Sequence, residues 1–596
     1  MLKRTVTCGD LRANNAGEQH TLNGWVNTYR DQGKGLVFID LRDRYGMTQV
    51  VFDAEDSPAA SMDLATTLRR EDVVAISGTV RMRDGKPNDR LPTGEIELVG
   101  EEIEVLNRTE TLPILPDDHE AEKIAEEHRL KHRYIDLRRP RMQEMLALRH
   151  KVTQVTRTFF GDHDFIEVET PLLISPTPEG ARDFIVPSRH HAGYWYALPQ
   201  SPQIFKQILM VSGCDRYMQI CRCLRDEDPR ADRQAEFTQI DLEMSFVTRD
   251  DVLAIMTEFA TALFKEVADV DLGEVPQVPW DDAMNTWGSD RPDMRFDLHL
   301  QDITDLAART DFKVFTSAIE DGGVVKALRV PGGAEKLSRK KTDGYAEIAK
   351  TYGAGGLPAT KYTESGFETG VARFVEPIAD DLAAALSLEP GDTVLFGVGP
   401  FRVACTSLGQ VRLQVAKDLD LIPEGEFRAL WVIDFPMFDW DEAGQRWASE
   451  HHPFTSPRED QFDILKSDPG NCVSAGYDMV INGAELGGGS IRIHDQSVQS
   501  TVFKALGLSE AEAESKFGFL LNALRFGAPP HGGIAFGLDR LVMMLLGTDN
   551  IRDVIAFPKT QTGADLMCEA PSQADPAQLE EMGITVTMPD AATSPA

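Results

Sequence analysis

Nothing in the 596 residues approaches the roughly 20-residue apolar run that a membrane helix requires, so no membrane partner is expected. The opening MLKRTVTCGD carries two basic residues but no apolar stretch behind them, and it does not read as a secretory signal. Cysteine is sparse. There are seven, Cys221 and Cys223 form the only close pair, and no CxxC occurs. That excludes a disulfide framework and a thiolate zinc site, and it suits thiols in a reducing cytoplasm. Positive charge is short as well: the formal net charge is −35. A general nucleic-acid binder, DNA-binding proteins included, needs the opposite balance, so any RNA ligand must meet local basic patches on an acidic body. Hydrophobic content of 42% and charged content of 26% are those of a globular protein, and the length implies several domains.

What is present concentrates in 216–246, RYMQICRCLRDEDPRADRQAEFTQIDLEMSF. Thr238, Ile240, Leu242, Met244 and Phe246 alternate with Phe237, Gln239, Asp241, Glu243 and Ser245. Period two predicts a strand in a half-buried antiparallel sheet. A second apolar run, 217–224, precedes it. Between them lies a charged loop too long for a tight turn. Charge runs are usually solvated hairpin tips. Here, however, an aromatic and two carboxylates share the polar face beside a loop that starts with Arg225. Such a platform could stack a planar base on Phe237 and hold a phosphate with Arg225.

Arg225-Asp226-Glu227 followed by Arg233 and Phe237 resembles motif 2 of class II aminoacyl-tRNA synthetases. The longer string RDEDPRADRQAEFTQIDLEMSF is similar to that of the bacterial-type aspartyl-tRNA synthetases, the aspartyl branch of class IIb, and the similarity extends over almost the whole chain. It implies an α+β multidomain protein: an N-terminal OB-fold β-barrel, and a class II antiparallel-sheet catalytic domain with an inserted α/β GAD domain.

Residues 1–106 hold strand candidates at 21–29, 36–43, 48–53, 73–82 and 95–105, separated by Gly-marked turns. Five such strands suit an OB-fold, although their spacing fits other small β domains too. GWVNTYRDQGKGLVFIDLRDRYGMTQVVFD resembles the family's anticodon-binding domain. By that resemblance Arg30, Phe38 and Gln49 contact anticodon bases, through a guanidinium, a stacking ring and an amide. Thr28 stands where another basic residue is common. Residues 107–140, with Pro113, Pro116 and a charged helix-like stretch 118–133, read as a hinge.

The catalytic domain is expected at 141–294 and 428–570. Met145, Leu148, Val152, Val155 and Phe159 have helical spacing ended by Gly161, and FIEVETP (165–171) reads as a strand closed by proline. Together they resemble motif 1, which implies a homodimer. Residues 295–427, with several Gly-rich turns, resemble the GAD insertion. KLSRK (336–340) and GAGG (353–356) look like nucleotide loops, but the first lacks a HIGH-like partner and the second lacks a strand–helix context. His451 and His452 do not have helical zinc spacing. GLDR, ending at Arg540, opens an apolar helix after a Gly-rich strand and resembles motif 3. From 571 to 596 the chain is Pro-, Ala- and acid-rich, and its end is expected to be disordered.

The resemblance also implies the chemistry. ATP binding falls to Arg225, Asp226, Glu227, Gln234, Phe237, Glu485, Gly537, Leu538, Asp539 and Arg540. Mg²⁺ falls to Asp478 and Glu485, hard oxygen donors. L-Aspartate falls to Glu179, Gln203, Lys206, Arg225, Asp241, His451, His452 and Arg492. Arg225, Arg540 and Lys206 are the expected catalytic groups. The implied reaction forms aspartyl-adenylate from aspartate and ATP and then charges tRNA(Asp); whether tRNA(Asn) is charged too stays open. The competing readings are a relative with another amino-acid specificity and an inactive RNA-binding paralogue. Arg492, Arg225 and Arg540 all argue against those two.

Overall fold

In the computed structural model, which describes residues 1–176, 180–442 and 444–587, five strands close a barrel. They are β1 (Gln19–Asp31), β2 (Leu36–Asp43), β3 (Gly46–Asp53), β4 (Val73–Met82) and β5 (Ile96–Asn107), in the order β1-β2-β3-β5-β4. All five match the strands expected from sequence. Only β3 and β5 pair in parallel. The alternate residues Val37, Ile39 and Leu41 of β2, with Val50 and Phe52 of β3, fill the interior, as period two requires.

The stretch expected as one charged helix is three short ones, Asp118–Ala121, Glu126–Lys131 and Arg133–Asp136. Buried Asp136 accepts from Arg133 at 2.5 Å and from Arg139 at 2.7 Å, and Arg139 also reaches Asp118 at 2.8 Å. These ion pairs fold the segment back on itself. Residues 1–147, with 556–560 and 564–571, form one compact unit.

The second unit is built on an eight-stranded sheet. Its strands are β6 (Ile166–Glu167), β7 (Arg216–Leu224), β8 (Glu236–Ser245), β9 (Gln277–Pro279), β10 (Ala429–Ile433), β11 (Gly476–Ile481), β12 (Ala484–Ile491) and β13 (His531–Gly537). The order is β9-β10-β11-β12-β13-β8-β7-β6. The six inner strands are antiparallel, and only the two edge pairs run parallel. One face is apolar. Phe536 of β13 lies 6.0 Å from Phe259 of the helix Arg249–Ala268, and Phe259 lies 4.7 Å from Phe160 of the long helix Pro140–Asp162.

Three expectations are corrected. β8 is not half-buried: Ile240 through Ser245 are buried on both faces. Its charged face is covered because cations from other elements pair with it. Phe246 is not part of the apolar face. It follows the strand with φ 58° and is 77% exposed. The strand expected across 165–171 is shorter, Ile166–Glu167, and among the described residues it pairs with β7 alone.

Within 295–427 a separate antiparallel sheet forms from Leu300–Asp302, Val324–Val330, Thr393–Gly399, Ala359–Thr363 and Gly366–Glu368. The KLSRK segment has a structural part here: Ser338 caps the helix Arg339–Thr351 by accepting from the Lys341 N–H. Beyond Pro571 the chain forms a short helix, Pro576–Glu581, and the tail end expected to be disordered lies outside the described residues.

Candidate active site

β7 and β8 are a hairpin in which Phe237 faces Cys223 and Glu236 faces Leu224. The charged loop between them is exposed from Asp226 to Asp228 and from Arg230 to Arg233, but two backbone hydrogen bonds hold it. Arg225 N–H donates to Ala235 at 2.8 Å, and Ile551 N–H donates to Ala231 at 2.9 Å. β13 runs beside β8 and hands the chain to the helix Leu538–Leu546. Arg540 therefore sits in the first turn of that helix, where the free N–H groups already favour an anion.

A cavity of about 260 Å³ opens between these elements. Arg225, Phe237, Glu485 and Arg540 line it together, with Glu227, Gln234 and Gly537. The Arg225 guanidinium lies over the Phe237 ring at 5.2 Å, and its buried Nε has no hydrogen-bond partner among the described residues. Arg540 donates to the carbonyl of Glu485 and lies 3.7 Å from the Asp232 carboxylate. Two guanidinium groups, an aromatic ring and a helix N-terminus thus converge on one space.

Two of the residues expected at ATP do not line the cavity, and a third lines it with its carboxylate already engaged. Asp226 pairs with Arg182 at 3.3 Å and does not line the cavity. Leu538 is buried behind it, since the residue after Gly537 turns into the core. Asp539 lines it, but its carboxylate is taken by Arg149 at 2.6 Å and by the Thr238 N–H at 2.7 Å.

The polar face of β8 carries a second constellation. Lys206, from the helix Gln203–Val211, donates to Asp241 at 2.7 Å and lies 3.3 Å from Glu243. Arg492 donates from Nε to Glu243 at 3.1 Å and from Nη1 to Ser490 at 2.7 Å. All four charges are buried. Burial pushes the Glu243 carboxyl up, but Arg492 and Lys206 outweigh it and hold the group below the usual carboxylate range. Burial wins at Asp241, despite Lys206, and raises it. Asp241 Oδ2 and His452 Nε2 have no hydrogen-bond partner among the described residues, so the constellation keeps unused polar atoms. Burial, with Arg492 and Lys206 nearby, pushes His452 down to about 3, so it is neutral. Burial also lowers His451. Gln203 donates to Gln207 at 3.2 Å, and Gln207 donates to His531 Nε2 at 3.1 Å. His531 Nδ1–H in turn donates to the Pro529 carbonyl. Glu179 lies outside the described residues.

Asp478 and Glu485 come from neighbouring strands and meet beside Gly488. A Cβ there would lie 2.5 Å from Asp478 Oδ1 and 3.7 Å from Glu485 Oε1, so glycine leaves the carboxylates room. Asp478 Oδ1 is buried without a hydrogen-bond partner among the described residues, and His451 Nε2 is 3.9 Å away. Burial, then Glu485 and Asp290, hold the Asp478 carboxyl well above its usual range. An orphaned buried carboxylate oxygen beside a second carboxylate fits a hard divalent cation. No group of three or more potential ligands occurs among the described residues, so such an ion would need further oxygens from its substrate.

On the barrel, Arg30 pairs with Asp40 at 2.8 Å and faces Phe38 across β1 and β2. Gln49 is placed less freely than expected. It is buried, its amide nitrogen donates to Glu97 at 2.7 Å, and its oxygen accepts from Arg30 and Arg83. Thr28 donates to Asp40.

Sequence reasoning missed Arg149, Asp232, Gln207 and His531. Glu243 stood on the predicted polar face without a role, and its alternation with Asp241 was the signal available.

Residues 125–561 match the family described as tRNA synthetases class II (D, K and N), and residues 20–106 match the OB-fold nucleic acid binding domain. An aspartate–tRNA(Asp/Asn) ligase of Geotalea uraniireducens strain Rf4 is 51% identical over 588 residues, covering 98% of each chain. One from Bacillus mycoides strain KBAB4 is 48% identical over 592 residues, covering 99% of each. Among solved structures, asparaginyl-tRNA synthetase from Pyrococcus horikoshii complexed with asparaginyl-adenylate aligns with a TM-score of 0.60 at 18% identity, over 94% of this chain and 99% of that one. A putative aspartyl-tRNA synthetase from Leishmania major Friedlin aligns with a TM-score of 0.58 at 20% identity, over 93% and 94%. These two likenesses concern the fold.

Proposed function

The chain belongs to the class II tRNA synthetases (D, K and N), and we propose from that premise that it is an aspartate–tRNA ligase. The observation that carries this is the convergence of Arg225, Phe237 and Arg540 on one cavity. ATP lies there with its base on Phe237 and its phosphates between the two arginines.

In the first step a carboxylate oxygen of aspartate attacks the α-phosphorus, the bond to the β-phosphate breaks, and pyrophosphate leaves. The attacking carboxylate is already ionised, so no general base is needed. Arg225 stabilises the charge that grows on the α-phosphate, and Arg540 holds the leaving end; catalysis is positioning plus charge. Arg225 is suited to this because its buried Nε has no hydrogen-bond partner among the described residues. In the second step the terminal ribose hydroxyl of tRNA attacks the aspartyl carbonyl and AMP leaves.

Aspartate is selected at the buried constellation. Arg492 and Lys206 take the side-chain carboxylate, sharing their charge with Glu243, while Asp241 keeps an oxygen for the ammonium group. Asp478 and Glu485 would hold Mg²⁺, whose chemistry is to neutralise phosphate oxygens. Leu172 and Leu173, more than half exposed beyond the edge strand β6, support a homodimer through this segment. The names of the relatives include both Asp and Asn tRNAs, which supports charging of tRNA(Asn) as well. The reaction is assigned to the cytoplasm, where tRNA and ATP pools meet.

ATP–pyrophosphate exchange over a panel of amino acids tests the reading. Aspartate alone should support exchange. Exchange with asparagine or lysine, or with none, sinks it. Charging of purified tRNA(Asp) and tRNA(Asn) transcripts then decides the RNA range.

A further inference from the structure

The outer face of the barrel joins its base-reading end to a second site. β1 and β2 pair so that Trp25 faces Arg42, Thr28 faces Asp40 and Arg30 faces Phe38. On β2 the residues at 38, 40 and 42 point outward, because Val37, Ile39 and Leu41 fill the core. Trp25 and Arg30 differ by an odd number and would fall on opposite faces of a regular strand. A bulge between Val26 and Thr28 supplies the extra residue and brings both outward. The result is one continuous ridge, with Arg30 and Phe38 at one end.

At the other end, about 15 Å away at the usual rise of a strand, lies a cavity of about 400 Å³. Four arginines line it, Arg4, Arg42, Arg44 and Arg138, against one carboxylate, Asp43. Arg42 and Arg138 share a single buried counter-ion, Glu71, at 2.8 and 3.1 Å. Arg138 also lies over the Trp25 ring at 5.3 Å, and Arg44 lies over the exposed Tyr45 ring at 4.6 Å. Burial, only partly offset by Glu71, lowers the Arg42 guanidinium, and Arg138 and Arg70 add to the effect. Positive charge is therefore in surplus here, on a chain whose net charge is −35.

We propose that this arginine–aromatic pocket binds a backbone phosphate of the RNA strand whose bases lie at the Arg30–Phe38 end of the ridge. The inference rests on the ligase reading, which makes that RNA a tRNA. Guanidinium forks match phosphate oxygens, and such contacts set the register of an RNA without reading its sequence. An acidic peptide would satisfy the arginines but would leave the continuity with the base-reading end without a cause.

The test is binding of a tRNA(Asp) transcript to the full chain across a salt series, for the parent, Arg44→Ala, Arg4→Ala and the double variant. Both side chains are exposed, and Arg44→Lys serves as a charge-preserving control. Each lost phosphate contact should weaken binding several-fold and lower the slope of log K against log salt by about one. Arg44→Lys should keep the slope. A transcript with a substituted anticodon should lose as much as the original. An unchanged affinity and slope in the double variant overturns the site. So does Arg44-dependent binding of poly-glutamate as tight as that of RNA. Aspartate-dependent pyrophosphate exchange by the parent chain is measured beside it. Its failure sinks the ligase reading, whereas failure of the salt slope sinks only the pocket.

Discussion

The carboxylate of Asp539 lies 2.6 Å from Nη1 of Arg149, and its other oxygen accepts the Thr238 N–H at 2.7 Å. Arg149 also donates from Nη2 to the Thr238 hydroxyl at 3.0 Å. One guanidinium from the long helix thus ties the helix that carries Arg540 to the strand that carries Phe237. Arg149→Ala leaves the Asp539 carboxylate without its cation, and breaking such a buried pair costs about 3 kcal/mol. The melting temperature should fall, and KM for ATP should rise more than kcat falls, because the phosphate and base ends of the cavity lose their alignment. Arg149→Lys should recover only part, since one ammonium does not reproduce the fork. Exchange kinetics and thermal melts of both variants check this. Unchanged KM for ATP in Arg149→Ala would refute the coupling.

Arg492→Leu should abolish aspartate-dependent exchange while ATP still binds. The substitution also leaves Glu243 buried with Lys206 as its remaining cation, so stability should fall as well. Nucleotide binding by the folded variant separates the two effects. Normal exchange in Arg492→Leu removes the residue from the aspartate site.

Much of this arrangement can be read from the sequence, for definite reasons. The barrel strands and β8 follow from alternation and turn residues, which are local signals. The burial of the charged face of β8 does not, because Lys206 and Arg492 that neutralise it come from remote segments. Phe246 has the parity of a core residue, yet the chain has already turned away there. Gln49 looks like a free amide until Glu97 and Arg83 occupy both of its ends. The meeting of Arg225 and Arg540 was legible only through the resemblance to motifs 2 and 3. Arg149 left no trace, since a lone arginine on an amphipathic helix reads as solvated.

Stability should fall on mild acidification, with His452 as one cause. An unfolded imidazole takes up its proton near 6.5, whereas the folded one resists it down to about 3. Between those values the unfolded chain binds more protons, so this contribution is complete above about pH 6.5 and is lost as pH falls toward 3. Glu243 acts in the same direction at lower pH, because its depressed folded value makes its contribution disappear only in stronger acid. His452→Gln should therefore flatten the melting temperature between pH 6.5 and 5 relative to the parent. Parallel curves for the two proteins would exclude His452.

Phe237→Ala should raise KM for ATP roughly five- to 150-fold, the range expected from the ~1–3 kcal/mol that a base gains by stacking on an aromatic ring. KM for aspartate should move little, because Phe237 lines the cavity of Arg225 and Arg540 and takes no part in the Lys206–Glu243 constellation. Phe237→Leu keeps the apolar volume without the ring and should fall between. Equal rises in both KM values would indicate general loss of structure rather than loss of stacking.

Asp478→Asn should blunt the effect of Mg²⁺ on stability. In metal-free buffer the parent keeps Asp478 buried beside Glu485 and Asp290, which Arg291 offsets only in part, and the Asp478 Oδ1 atom lacks a hydrogen-bond partner among the described residues. Replacing that carboxyl by an amide removes the repulsion, so the variant should melt no lower than the parent. With Mg²⁺ and ATP at about a hundred times the dissociation constant, the parent should gain about 2.7 kcal/mol by mass action. The variant should gain much less, because a carboxamide is a poor ligand for a hard cation beside a single carboxylate. Thermal melts of both proteins with ATP, with and without Mg²⁺, read this directly. Equal Mg²⁺-dependent gains would mean that the ion is held elsewhere and that the pair beside Gly488 serves only to shape the cavity wall.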